Sequence, residues 1–221
     1  MARLPFDVVT FDCYGTLIDW EGGIADAFAR KARRLQRTAP RADVLAAYHE
    51  VEPEIEGDAY RPYREVLVRA AERVARRLGW GEVDGAFLAE SLPSWVPFPD
   101  TNPALERLTK AGVRLGILSN VDDDLLAGTR RHLSARFDPI VTAQQVRSYK
   151  PAAAHFEEAR RRLPAGARWL HAAQSYFHDV APAKALGIPV AWINRKGEAV
   201  GAAGPADFEY SSLDRLAATL G

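Results

Sequence analysis

The chain is expected to fold as an α/β protein. Three features of its 221 residues carry that expectation: short apolar runs recur, helical patterns separate most of them, and one long stretch is helical throughout. Strands that alternate with helices are joined by crossovers, which makes the sheet parallel. The predicted architecture is a Rossmann-like parallel sheet core with helices on both faces and an inserted helical cap domain.

The strand candidates, in order, are Phe6 to Phe11 (FDVVTF), Val113 to Leu118 (VRLGIL), Ile140 to Thr142, Trp169 to Ala172, and Pro189 to Ile193 (PVAWI). From about Gly22 to Leu92 no strand pattern occurs. AFARKARRLQR and YREVLVRAAERVARRLGW place apolar residues at helical spacing with arginines opposite, the pattern of helices packed on one side and solvated on the other. The proline-dense SWVPFPDTNP then stops the helices and stiffens the return to the sheet. Residues 1–20 and 96–221 are therefore expected to form the catalytic core and residues 21–95 the cap. Links near Asp19 to Gly23 and Pro93 to Pro99 would act as hinges.

Composition narrows the partners. Acids and bases balance at 29 each, which offers no electrostatic case for nucleic acid or an anionic membrane. No apolar run is long enough to span a bilayer. Cys13 is the only cysteine, which excludes an intrachain disulfide, and MARLPFDVVTFD contains no long apolar signal region. A cytoplasmic protein acting on a small molecule is expected. His49, His132, His155 and His171 are scattered without metal-ligand spacing, so no zinc site is expected.

Four polar signals fall at or beyond the ends of the predicted strands, where open parallel sheets place their sites. Asp12 follows the first strand in DCYGTL, and Ser119-Asn120 follow the second. Lys150 lies in YKP, with Pro151 expected to open a helix at its first position. Asp179 follows the strand Trp169 to Ala172, and its neighbour His178 invites a general-base role. Taken singly, Asp12, Ser119-Asn120 and Asp179 could be turn or helix caps, and Lys150 a solvated ammonium.

Together, in this order, these residues resemble the haloacid dehalogenase superfamily of hydrolases. The likeness covers nearly the whole chain, the helical insertion lying where that family's mobile cap lies. The closing AWINRKGEAVGAAGPADFEYSSLDRL resembles the carboxy-terminal strand and helix of the L-2-haloacid dehalogenase branch. Magnesium-dependent phosphatases of the superfamily carry a second Asp two residues after the nucleophile, as the acid that protonates an alkoxide leaving group. This chain has Tyr14 there. They also pair Gly-Asp with another Asp five residues on, whereas Ala173-Gln174 leave only Asp179. A halide leaves without a proton and without a metal, and DxYGT is the dehalogenase form.

The resemblance implies a metal-independent 2-haloacid dehalogenase needing no cofactor, with a small 2-haloacid as substrate. Asp12 would form an aspartyl ester, Thr16 would orient Asp12, and Lys150 would keep it ionised. Asp179 would activate water, with Ser175 supporting it. Tyr14, Ser119 and Asn120 would hold the substrate carboxylate and the halide. The branch also uses a cap arginine, for which Arg37, Arg41, Arg61 and Arg64 are open, Arg41 favoured by spacing and Arg61 its rival. Two alternatives stand beside this reading: a phosphatase, which would need magnesium, and a non-catalytic anion-binding member. Dimers are common among the similar dehalogenases, so a homodimer is compatible. This chain departs from the branch at Phe156, where a Tyr is usual, and at Gln174-Ser175-Tyr176, where Ser-Ser-Asn is usual.

Overall fold

The computed structural model describes residues 5–57 and 59–220. Residues 1–4 and 221 of the expected core, and residue 58 of the expected cap, lie outside them. The chain divides into two compact units. One comprises the residues up to Ile18, Pro97–Asn120 and those from His132 onward; the other comprises Asp19–Val96 and Val121–Arg131.

The first unit is a six-stranded sheet, parallel throughout, surrounded by helices. Its strands are β1 (Val8–Phe11), β2 (Arg114–Ser119), β3 (Ile140–Thr142), β4 (Trp169–Ala173), β5 (Val190–Ile193) and β6 (Phe208–Tyr210), in the order β3-β2-β1-β4-β5-β6. β1 and β4 are buried along their whole length, as strands covered on both faces must be. Leu118, Val141, Phe156, Val180, Val190 and Trp192 meet in one apolar cluster, which holds helices Ala154–Arg162 and Ala181–Ala185 to the sheet. The five predicted strands are present, Ile140–Thr142 with the bounds expected and the other four shifted by one or two residues at one or both ends. β6 lies in the closing segment that resembles a terminal strand.

Pro151 does not open a helix. Pro151 to Ala153 form a turn, Ala152 N donating to the Tyr149 carbonyl, and the helix begins at Ala154. The backbone of Lys150 is held by Asn120, which fixes the chain direction before the helix can start.

The second unit is helical: Trp20–Leu35, Arg41–Glu56, Tyr63–Arg77, Ala86–Ser91 and Asp123–Thr129. Asp19 caps the first helix by accepting from Gly22 N at 2.9 Å. Asp122 caps the third, its two oxygens accepting from Tyr63 N and Arg64 N at 2.9 and 2.8 Å. Ile24, Phe28, Val44, Tyr48, Val66, Leu67 and Leu88 form its interior, while exposed pairs such as Arg73 with Glu54 occupy the outer faces and contribute little to stability. No described helix is long and apolar enough to cross a membrane.

Candidate active site

The sheet order reverses beside β1: the chain steps outward through β2 and β3 on one side and through β4 and β5 on the other. At such a switch point the connections leave in opposite directions and open a crevice beyond the carboxyl ends of the strands. Asp12 follows β1 directly and is 7 % exposed. The chain then turns tightly, with Leu17 N donating to the Cys13 carbonyl and Gly15 N to that of Ile18. Gly15 takes φ +98°, a conformation costly for any residue with a Cβ. The turn folds Thr16 back, so that its Oγ1 donates to Asp12 Oδ2 at 3.0 Å and accepts from Gln174 N at 2.9 Å. Tyr14, half-buried, stands on the same turn.

Lys150 is 2 % exposed and donates three hydrogen bonds from Nζ: to Asp12 Oδ1 at 2.9 Å, to Asp179 Oδ1 at 2.6 Å and to the Leu118 carbonyl at 2.9 Å. An ammonium has three protons, so the set is complete. Its backbone is clamped by Asn120, whose Nδ2 donates to the Lys150 carbonyl at 3.1 Å and whose Oδ1 accepts from Lys150 N at 2.7 Å. One amide N–H of Asn120 is left over from that clamp. Ser119 Oγ is buried and pairs with nothing among the described residues.

Asp179 lies on a π-helical turn, Tyr176–Val180, capped by Ser175, whose Oγ accepts from His178 N at 3.1 Å and pairs with His178 Nδ1 at 3.0 Å. Asp179 Oδ1 takes Lys150 Nζ and also His171 Nε2, at 2.9 Å; Oδ2 is buried and accepts no hydrogen bond from the described residues.

Two carboxylates and one ammonium leave this buried cluster with one negative charge in excess, and the titrations reflect the imbalance. Burial raises the Asp12 carboxyl above its ordinary value; Lys150 opposes the shift and Asp179 adds to it. Burial works on Asp179 in the same sense, but Lys150 and His171 overcome it and hold that carboxyl well below the usual range. Lys150 is raised, since its two carboxylates outweigh its own desolvation. Burial and the positive charge of Lys150 push His155 down to about 3, so it is neutral. His178 is lowered, chiefly by burial, and Cys13 is raised well above an ordinary thiol by burial and Asp12, which makes it unreactive.

Asp12, Thr16, Ser119, Asn120, Lys150, Ser175 and Asp179 all lie in the sheet unit. Arg41 and Arg61 lie in the helical unit, Arg41 as the first residue of its helix, Arg61 with Nη1 donating to the Ile55 carbonyl and Nε 3.8 Å from Glu65. The sequence reading missed His171, Thr10 and Trp169. Thr10 Oγ1 lies 2.9 Å from His171 Nδ1 and accepts from Trp169 Nε1 at 2.8 Å. Strand alternation puts Thr10 on the face of Asp12 and Trp169 on that of His171, but the pairing of Thr10 with His171 comes from the register of β1 with β4, which the sequence does not show.

Residues 6–187 match the family described as haloacid dehalogenase-like hydrolase. Among curated relatives, the haloacetate dehalogenase H-2 of Moraxella sp. (strain B) is 26% identical over 220 residues, spanning 95% of this chain and 96% of its own. The (S)-2-haloacid dehalogenase of Pseudomonas sp. (strain YL) is 26% identical over 219 residues, spanning 93% and 90%. The solved L-2-haloacid dehalogenase of Xanthobacter autotrophicus, with chloropropionic acid covalently bound, superposes with a TM-score of 0.81 at 23% identity over 96% of this chain and 97% of that one, a likeness of fold.

Proposed function

This chain belongs to the haloacid dehalogenase-like hydrolase family, and from that membership we propose that it hydrolyses short 2-haloacids through an ester on Asp12. The observation that carries this reading is the Lys150 ammonium shared by Asp12 and Asp179, with Asp179 Oδ2 left open to a proton. The dehalogenase names of relatives matched over nearly the full chain support it.

In the first step an Asp12 oxygen attacks C2 of the haloacid. The carbon–oxygen bond forms as the carbon–halogen bond breaks, and the halide leaves as a stable anion. Lys150 and Thr16 each hold one carboxylate oxygen, so the group is aimed before substrate arrives. In the second step water adds to Asp12 Cγ and passes a proton to Asp179 Oδ2. The bond from Cγ to the alkyl oxygen breaks, the alkoxide takes that proton, and a 2-hydroxy acid leaves. Splitting one displacement into two is the advantage of a carboxylate nucleophile. Ser119 Oγ and the free N–H of Asn120 are assigned to the substrate carboxylate, Tyr14 to the substrate, and Arg41 or Arg61, on a helical unit read as the cap, to the halide. A reducing compartment such as the cytoplasm suits a chain whose one cysteine is a buried free thiol.

The donor set does not suit the magnesium-dependent alternative. Magnesium requires about six oxygens in octahedral array. Here Asp12 Oδ1 and Asp179 Oδ1 both accept from the Lys150 ammonium, which already balances charge that a magnesium ion would need, and Gln174 stands where a further carboxylate would. The test is halide release from chloroacetate and from each enantiomer of 2-chloropropionate with EDTA present, beside phosphate release from an aryl phosphate with magnesium. Halide release indifferent to EDTA is expected. Magnesium-dependent phosphate release without halide would overturn the proposal.

A further inference from the structure

We propose that Trp169, Thr10 and His171 form a one-way hydrogen-bond relay that makes His171 the positioning residue for Asp179 in hydrolysis of the ester. The inference rests on the ester chemistry proposed above. Its geometry comes from strand register: in the parallel pair β1–β4, Thr10 lies opposite His171, and Trp169 precedes His171 by two residues on the same face. All three side chains are buried, so each polar atom must find its partner inside the protein.

The direction of the relay follows from what each group can donate. An indole N–H only donates, so Thr10 Oγ1 accepts from Trp169 Nε1, 2.8 Å away. Asp179 Oδ1 already accepts from Lys150 and belongs to an ionised carboxylate, so His171 Nε2, 2.9 Å away, carries the proton. The relay assigns the hydroxyl proton of Thr10 to His171 Nδ1, 2.9 Å away, with the ring proton on Nε2. Each donor in the series Trp169, Thr10, His171 and Asp179 faces an acceptor.

The consequence falls on Asp179. Two donors converge on Oδ1 and fix the plane of the carboxylate, and Oδ2, buried and unpaired among the described residues, is the oxygen turned toward the proton of the attacking water. His171 touches neither Asp12 nor substrate in this scheme. Its loss should fall on the second step and spare the first.

The experiment compares wild type, His171→Phe and His171→Gln under single-turnover conditions with 2-chloropropionate, following chloride, 2-hydroxypropionate and the mass of the Asp12 peptide. His171→Phe should release its first equivalent of chloride and accumulate the Asp12 ester, with ester breakdown slowed about 10- to 100-fold, the weight of one hydrogen bond to a charged group. His171→Gln, which keeps an N–H donor, should recover part of that loss. Ester breakdown in His171→Phe at the wild-type rate would overturn the inference, and so would equal slowing of both steps. In parallel, nitrogen NMR of labelled histidine in the wild type should find His171 protonated at Nε2 and bare at Nδ1; the opposite tautomer would also overturn it. If wild type releases no chloride from any haloacid, the ester chemistry and the catalytic role of His171 fall together, while the NMR arm still decides the relay.

Discussion

Lys150 Nζ donates to Asp12 Oδ1 at 2.9 Å across 138 positions of sequence, and the side chains are nearly inaccessible, at 1% and 10%. Breaking a buried pair by removing one partner strands the other charge. Lys150→Met would leave two carboxylates with no cation between them, so folding stability should fall by about 3–5 kcal/mol and halide release should vanish. Urea unfolding monitored beside chloride release checks both, and an unchanged midpoint would contradict the burial.

Thr16 serves two partners, donating to Asp12 Oδ2 and accepting from Gln174 N. Thr16→Val keeps the shape and loses both bonds, which should cost about 1–3 kcal/mol. It should also slow chloride release, since Asp12 loses a donor that favours its ionised form. Thr16→Ser keeps the hydroxyl and should retain most activity. Pre-steady-state chloride release separates the two variants.

His155, held near neutral by a value of about 3 against an ordinary 6.5, predicts an acid-side loss of stability. Above pH 6.5 the ring is neutral in both folded and unfolded chains and contributes nothing. As pH falls from 6.5 toward 3 the unfolded chain takes up a proton that the folded chain refuses, so the folded state weakens. His155→Gln should flatten that part of the curve. Unfolding midpoints at pH 7 and pH 5 test it: wild type should lose more than the variant.

Glu52 shows the opposite sign in the helical unit. Burial raises it from 4.5 to about 7, although Tyr63 donates to its Oε1 at 3.2 Å. Its contribution to stability is fully present below pH 4.5 and is lost as pH rises toward 7, because the unfolded chain ionises first. Glu52→Gln should therefore raise the melting temperature at pH 8 and change it little at pH 4.5. Melting curves at those two values decide the matter.

The sheet was legible wherever apolar runs were long enough to be buried on both faces, as at β1, β2 and β5. β6 is three residues, with Phe208 and Glu209 exposed, and offers no such run. Asp12, Lys150 and Asp179 could be singled out only as a set: each alone suits a cap or a solvated charge, and it is their order after successive strand candidates that carries the resemblance. The service of Asn120 to the Lys150 backbone could not be read, since an amide after a strand looks the same whether it meets a ligand or a peptide group. His171 was obscured for a related reason: inside the apolar strand WLHAA it reads as core, and its partners Thr10 and Asp179 depend on sheet register and on the π-helical turn, neither of which is written in local spacing. Pro151 misled because proline suits the first turn of a helix equally well when a clamp on the preceding residue delays that helix.

The central claim is that Asp12 attacks carbon. Enzyme in excess over 2-chloropropionate, in water enriched with oxygen-18, isolates a single turnover. The ester route takes the hydroxyl oxygen of the product from Asp12 and returns the solvent oxygen to the protein. The label should appear in the Asp12 peptide, and the 2-hydroxypropionate should carry none. Label in the product with an unlabelled Asp12 peptide would mean that water attacks the substrate directly, and Asp12 would lose its place as the nucleophile.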